Sequence, residues 1–314
     1  MDILINTVNT LAPVFFLIVL GLFLRRTAFF SESLVTELNK LVYWIGLPAL
    51  LFYKVAVASY DFHTAGKTFL VVFAGMLASI IAAYIIAFFL RLPVSSIGTF
   101  VQGSFRGNLL YIGLPIIIYS FHGQTGAERM ENTAAIVLGF IVPLYNIFAV
   151  IVLLASRQKI DSRVFRQIFR STLTNPFFIA CVAGIVFSAA SLKIPLAARR
   201  TIEAAGQMAL PLALLAIGAT LAFTRVGWGG SFAFVASIIK IVLTPLVGFA
   251  VALLIGLGPA ETKIALIFLA CPTAVVSFVM AEQLNGDSKM AASIVFVSTI
   301  LSVVSLALVL VLFQ

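Results

Sequence analysis

Ten stretches of this chain are each about as long and as apolar as a bilayer core demands: 8–24, 34–56, 67–90, 96–120, 132–155, 174–192, 197–223, 230–256, 262–284 and 289–313. A membrane-crossing helix needs about 20 such residues, so the pattern predicts an all-α polytopic membrane protein of ten spans. A soluble core could not hide the same surface, because burial is limited by surface-to-volume scaling. Only 10% of the residues are charged, against about 25% in soluble domains.

The net charge of +9 would suggest nucleic acid in a soluble protein. Here basic residues fall mostly between the apolar runs, and basic–aromatic interleaving is absent. The lipid bilayer is the expected partner, and nucleic acid is not. Met1 to Asn9 has no basic n-region, and Arg25-Arg26 follows the first run, so an uncleaved first span with its N-terminus outside is expected. With ten spans both termini then lie outside. Eleven of the 20 Lys and Arg fall on the cytoplasmic side of this arrangement, seven outside, and Arg106 and Lys240 within spans. The polar linker Ser156 to Ser171 carries five of the eleven and is expected in the cytoplasm.

That linker divides two similar halves, 1–156 and 172–314, with 157–171 between them. At a constant offset of 163, Pro13 faces Pro176, Gly21 faces Gly184, Leu47-Pro48 faces Leu210-Pro211, and Gly66 faces Gly229. Each half holds five spans, an odd number, so the second copy must enter the bilayer from the opposite side. Inverted repeats of this kind place a binding site near the midplane at the repeat interface.

Spans four and nine are poor lipid-facing helices. The fourth reads Gln102-Gly103-Ser104-Phe105-Arg106-Gly107-Asn108 and continues to Gly113-Leu114-Pro115; the ninth contains Cys271-Pro272-Thr273. Proline removes a backbone donor and clashes with the preceding turn. Freed backbone groups are tolerated at this depth only where protein or a wet cavity covers them. The expected breaks are Gly107, Pro115 and Pro272. The plainer readings are a simple kink at the prolines and close helix approach at Gly103 and Gly107.

A charged side chain in mid-bilayer is costly, so Arg106 needs a cavity, a partner or a substrate. No Asp or Glu lies deep in any span; Glu203 and Glu282 sit near span ends. A small organic anion therefore fits, with snorkelling or carbonyl pairing as the alternatives. Lys240 is similar and could instead neutralise a helix dipole or Glu282. Asn108 can donate and accept. Candidate substrate-binding residues are Arg106, Gly107, Asn108, Lys240, Pro272 and Thr273. Without a deep carboxylate, the open options are uniport, anion exchange or coupling through a basic residue. Cys181 and Cys271 are read as buried thiols. Neither a metal-ligand cluster nor an enzyme motif is found, and Gly66-Lys67-Thr68 fails as a phosphate loop because Asp61 replaces its first glycine. No catalysis, metal or cofactor is expected.

At these residues the chain resembles the auxin efflux carrier family, plant and bacterial. The resemblance rests on Pro13 with Gly21, Asn39, Leu47-Pro48-Ala49-Leu50-Leu51-Phe52, Gly107-Asn108, Gly113-Leu114-Pro115, Asn175-Pro176, Ala209 to Leu214, and Pro272 to Ala281. It implies a fold like that of sodium/bile-acid symporters, with helices four and nine broken and crossing. It also implies a scaffold of spans one, two, six and seven, a mobile bundle of the rest, elevator-type motion, and a homodimer through the scaffold. It adds Leu47 with Pro48, and Asn175, to the substrate residues, and it supports Asn108. Arg106-Gly107 replaces an apolar–proline pair of the plant carriers, and no long cytoplasmic loop is present. Both departures favour a smaller, more charged anion such as malate or malonate over auxin, carried across the cell membrane. A sodium-coupled symporter of the bile acid type and an anion channel are the rival readings.

Overall fold

The computed structural model describes residues 2–57, 62–155, 166, 169–170, 173–222 and 230–313, and its regular elements are all helices. The linker 157–171, apart from Arg166, Phe169 and Arg170, lies outside the described residues, as do Asp61, Arg225, Gly229 and Gln314. In chain order the helices are α1 (Asp2–Arg26), α2 (Glu32–Leu41), α3 (Leu47–Ala56), α4 (Phe62–Phe89), α5 (Val94–Phe105), α6 (Leu114–Phe121), α7 (Ala127–Ala155) and α8 (Pro176–Ala189). They continue as α9 (Leu196–Gln207), α10 (Ala209–Leu221), α11 (Gly230–Ile238), α12 (Thr244–Leu254), α13 (Pro259–Ala270), α14 (Val276–Gln283) and α15 (Ser288–Leu312).

Seven continuous helical stretches are long and apolar enough to cross a membrane: Ile3–Arg26, Glu32–Ala56, His63–Phe89, Ala127–Ala155, Leu196–Leu221, Gly230–Leu254 and Ser288–Leu312. Three expected spans differ. Residues 96–120 and 262–284 are each two short helices around a break, and 174–192 is a 14-residue helix. Polar and proline residues shorten all three.

Three widened π-turns have one shared cause. Val42–Gly46, Leu109–Gly113 and Ile239–Leu243 each precede a Leu-Pro or Thr-Pro pair that opens the next helix. Proline would collide with the carbonyl four residues back. The wider turn moves that carbonyl aside, and the chain bonds five residues back instead: Leu47 N–H to Val42, Leu114 N–H to Leu109, Thr244 N–H to Ile239. Pro48 therefore bulges its helix. Pro211, its counterpart in the sequence repeat, instead follows the interruption at Met208 between α9 and α10.

Large apolar side chains point outward, including Phe16, Phe23, Phe88, Phe89 and Leu254, whereas Gln102, Ser104, Lys240, Thr244 and Ser298 are fully buried. This reverses the usual order of a soluble domain and fits a hydrocarbon solvent. The helices pack in recurring pairs. α1 lies along α10, and α3 along α8 and α9; α4 lies against α12, α5 and α13, and α11 against α15. The α1–α10 pair is held by glycines. A Cβ on Gly21 would stand 2.1 Å from the Leu215 carbonyl oxygen, and one on Gly218 would stand 1.8 Å from that of Ile18. Backbone thus touches backbone, and no side chain can give way. Gly218→Val should destabilise the fold by about 3 kcal/mol or more. A thermal-unfolding midpoint unchanged from wild type would show that this contact does not hold the helices.

Candidate functional site

The two broken helices meet at their interruptions. α5 ends at Phe105, and Arg106 to Asn108 run extended before the chain turns helical again at Leu109. α13 ends at Ala270, and Cys271 begins a second extended stretch. These stretches pair as a two-residue antiparallel bridge, Gly107 opposite Thr273. The Asn108 N–H donates to the Pro272 carbonyl at 2.8 Å, and the Ala274 N–H to the Arg106 carbonyl at 2.9 Å. The Thr273 N–H donates to Ser298 Oγ at 3.0 Å, and the Thr273 hydroxyl to the Gly103 carbonyl at 2.7 Å. The broken backbone is thereby satisfied inside protein, as a bilayer interior requires. A Cβ on Gly107 would lie 2.9 Å from Leu109 Cδ2, 3.1 Å from Lys240 Cε and 3.3 Å from its Nζ, so these side chains pack closely over it.

Two C-terminal helix ends, of α5 and α13, converge here, and such ends carry partial negative charge. A cation is bonded to the end of α13, and another residue with a cationic side chain follows α5. Arg106 is the residue that caps α5. Lys240, fully buried on the π-turn between α11 and α12, donates to the Leu269 carbonyl in the last turn of α13. Of the partners considered for Lys240, the structure supplies the helix end and not Glu282.

Arg106 is 5% exposed, and its guanidinium donates to Asn146 Oδ1 at 2.5 Å and touches the Met280 sulfur. No carboxylate among the described residues pairs with it. Tyr43, on the π-turn before α3, lies within electrostatic range of it. Gln102 reaches the same Met280 sulfur. Two buried polar atoms around this spot have no hydrogen-bond partner among the described residues: Gln102 Oε1 and Ser277 Oγ, one turn before Met280. Buried polar groups are normally paired, so this cluster is chemically incomplete. The Asn108 side chain, 6% exposed, also has no hydrogen bond among the described residues.

The structure thus gathers Arg106, Gly107, Asn108, Lys240, Pro272 and Thr273 at one joint. Pro115 lies beyond a π-turn, where it widens the helix and does not break it. Leu47 is fully buried, Pro48 lines an apolar groove with Trp44, Phe52 and Pro176, and Asn175 caps α8 by accepting from the Phe177 N–H at 2.9 Å. Those three stand on other helices. Tyr43 packs edge-on to Phe177 with ring centroids 4.8 Å apart, and so links that side to Arg106. Asn146, Tyr43, Ser277 and Met280 escaped the sequence reading. Asn146 alone carried a signal, as an amide deep in the apolar run 132–155.

A family model described as membrane transport protein matches residues 6–310. The chain belongs to the auxin efflux carrier family of membrane transport proteins. A relative from Rhizobium meliloti, named "Putative malonate transporter", is 28% identical over 309 residues, covering 93% of this chain and 91% of that one. An uncharacterized transporter of Methanocaldococcus jannaschii is 23% identical over 303 residues, covering 94% and 95%. The protein is therefore a multi-pass membrane transporter, and the joint is its candidate substrate site.

Asn146→Asp would place a carboxylate on Arg106 from within. The expected outcome is a protein at least as heat-stable as wild type with at least about tenfold slower transport, because a charge-assisted pair of about 1.5–3 kcal/mol would compete with any anion. Wild-type flux in proteoliposomes would separate Arg106 from the substrate.

Proposed function

We propose that this transporter is a secondary carrier of small organic anions of the size and charge of malonate or malate. The observation that carries the reading is the Arg106 guanidinium, buried at a helix break and, among the described residues, hydrogen-bonded only to an amide oxygen and a sulfur. An uncompensated arginine at such depth costs about 2.5 kcal/mol or more, and an arriving carboxylate relieves it. The free Asn108 amide, the unpaired Ser277 hydroxyl and the helix N-termini that restart at Leu109 and Val276 favour the same charge. The name of the Rhizobium meliloti relative supports a dicarboxylate over auxin.

The mechanism in this reading is elevator-type alternating access. The chain crosses the membrane ten times as two inverted repeats, 1–156 and 172–314. Three features support this arrangement: the constant offset of 163 between the halves, the two breaks joined antiparallel to each other, and helix pairs that recur between halves, α1 with α10 as α3 with α8. The scaffold is α1–α3 with α8–α10, and α4–α7 with α11–α15 move. The two bundles meet through α7 on α3 and α8, and through α1 on α6 and α15. Leu47, Pro48, Asn175 and Tyr43 lie on the scaffold side, so the substrate leaves them as the bundle slides. The termini face outward from the cell membrane, the 157–171 linker is cytoplasmic, and two copies pair through the scaffold.

Sodium coupling is the less supported reading. Unwound carbonyls and half-helix C-terminal ends are where such a cation would bind, and the Lys240 ammonium already occupies the end of α13. The test is uptake of radiolabelled malonate, malate, succinate and indole-acetate into proteoliposomes. Dicarboxylate uptake should be saturable, show counterflow, as a channel would not, and proceed without sodium. Arg106→Ala and Asn108→Ala should each cut it by at least about tenfold, the worth of one lost charge-assisted bond. Arg106→Ala at the wild-type rate, or strict dependence on sodium, would overturn the reading.

A further inference from the structure

Away from the joint, where α1 begins and α6 ends, the molecule holds a cavity of about 560 Å³. Its polar lining includes Asn6 and Asn9 on α1, His122 and Gln124 after α6, and Lys263 on α13. The hydroxyls of Thr7, Thr10 and Ser120, also in its wall, donate to carbonyls of their own helices at 2.9 to 3.0 Å. Gln124 likewise donates to the Ser120 carbonyl at 2.9 Å. Among the described residues, the donors left over are the amides of Asn6 and Asn9, the ring N–H of His122, the hydroxyl of Tyr119, which also lines the cavity, and the ammonium of Lys263.

Lys263 is the odd member. It is 6% exposed, as buried as Arg106, and its Nζ lies 4.8 Å from the Phe121 ring centroid. No carboxylate and no hydrogen-bond acceptor meets it among the described residues. A ring face is a partial partner for an ammonium and leaves its three N–H groups unbonded. The ion pair of Lys54 with Glu131, at 2.5 Å, does not line the cavity. A wall with amide and ammonium donors and no described carboxylate selects negative charge.

We propose that this cavity is a second anion site, built to take a small dicarboxylate with one carboxylate on Lys263 and the other on the amides of Asn6 and Asn9. It stands at the contact between α1 on one side and α6 and α13 on the other. An anion held there is bound apart from the joint, without taking part in the transport step. The choice of a dicarboxylate rests on the proposed function; the site itself rests on the cavity and on Lys263.

The test is site-resolved acetylation. The full-length transporter in nanodiscs of zwitterionic lipid is treated with an N-hydroxysuccinimidyl acetate ester, with and without malonate, and Lys263 labelling is read by mass spectrometry. Exposed Lys193 is the internal control. At ten times the dissociation constant, mass action slows Lys263 labelling about tenfold and leaves Lys193 unchanged. The same protection should appear in Asn108→Ala, whose joint is disabled, so failure of the joint and failure of this site are read separately. No protection by malonate in the wild type would overturn the proposal. So would protection lost in Asn108→Ala, which would assign the effect to the joint, or equal protection by sodium chloride at matched ionic strength, which would reduce it to screening.

Discussion

The structure depends on a two-residue pairing in the middle of the molecule. Gly107 and Thr273 bridge two interrupted helices, and around that bridge the freed backbone groups find partners in Pro272, Arg106, Ser298 and Gly103. Without it, two stretches of bare polar backbone would lie at a depth where water is absent and each unsatisfied group costs several kcal/mol. The constraint runs outward from there. The Leu109 and Lys240 side chains pack closely over Gly107 and leave little room for a Cβ there. Lys240 must be present because α13 ends with its carbonyls inside protein. The Ser79 hydroxyl donates to the Ser104 carbonyl at 2.7 Å, and the Thr244 hydroxyl bonds Ser79 at 3.1 Å, which ties α4 and α12 to the end of α5.

The two buried cations play different parts, and geometry separates them. Lys240 is spent on a helix end: its ammonium bonds a main-chain carbonyl, and it is fully enclosed. Arg106 is not spent. An amide oxygen and a thioether sulfur hold the guanidinium in place without cancelling its charge. Gln102 Oε1 and Ser277 Oγ, next to its Met280 contact, are also unpaired among the described residues. One cation thus stabilises the joint and the other leaves it electrically unfinished, which is what a site for a passing anion requires.

Much of this was legible in the sequence because lipid leaves so few options. Apolar runs at bilayer length match seven of the ten expected spans as continuous helices, and the polar cluster from Gln102 to Asn108 and the Pro272 region marked the breaks. The motifs around Leu47-Pro48 and Gly107-Asn108 named the family correctly. Other features were hidden for physical reasons. The π-turns are a response of the backbone to proline, and Pro48 and Pro115 could equally have signalled a kink or a break. Pro115 in fact widens its helix while Gly107, with no side chain, opens the chain. Partners distant in sequence were also hidden: nothing in the run around Asn146 announces that its amide meets Arg106, and nothing near Met280 announces its sulfur. The same holds for Lys240, whose helix-end partner lies 29 residues away.

The central claim is that an anion sits on the charge Arg106 leaves uncancelled, at the joint of the broken helices. A cryo-electron microscopy map of the transporter in nanodiscs with saturating malonate tests it most directly. The account expects ligand density within hydrogen-bond distance of the Arg106 guanidinium and the Asn108 amide. A map with malonate bound only elsewhere, and with Arg106 still closed on Asn146 and Met280 alone, would contradict it.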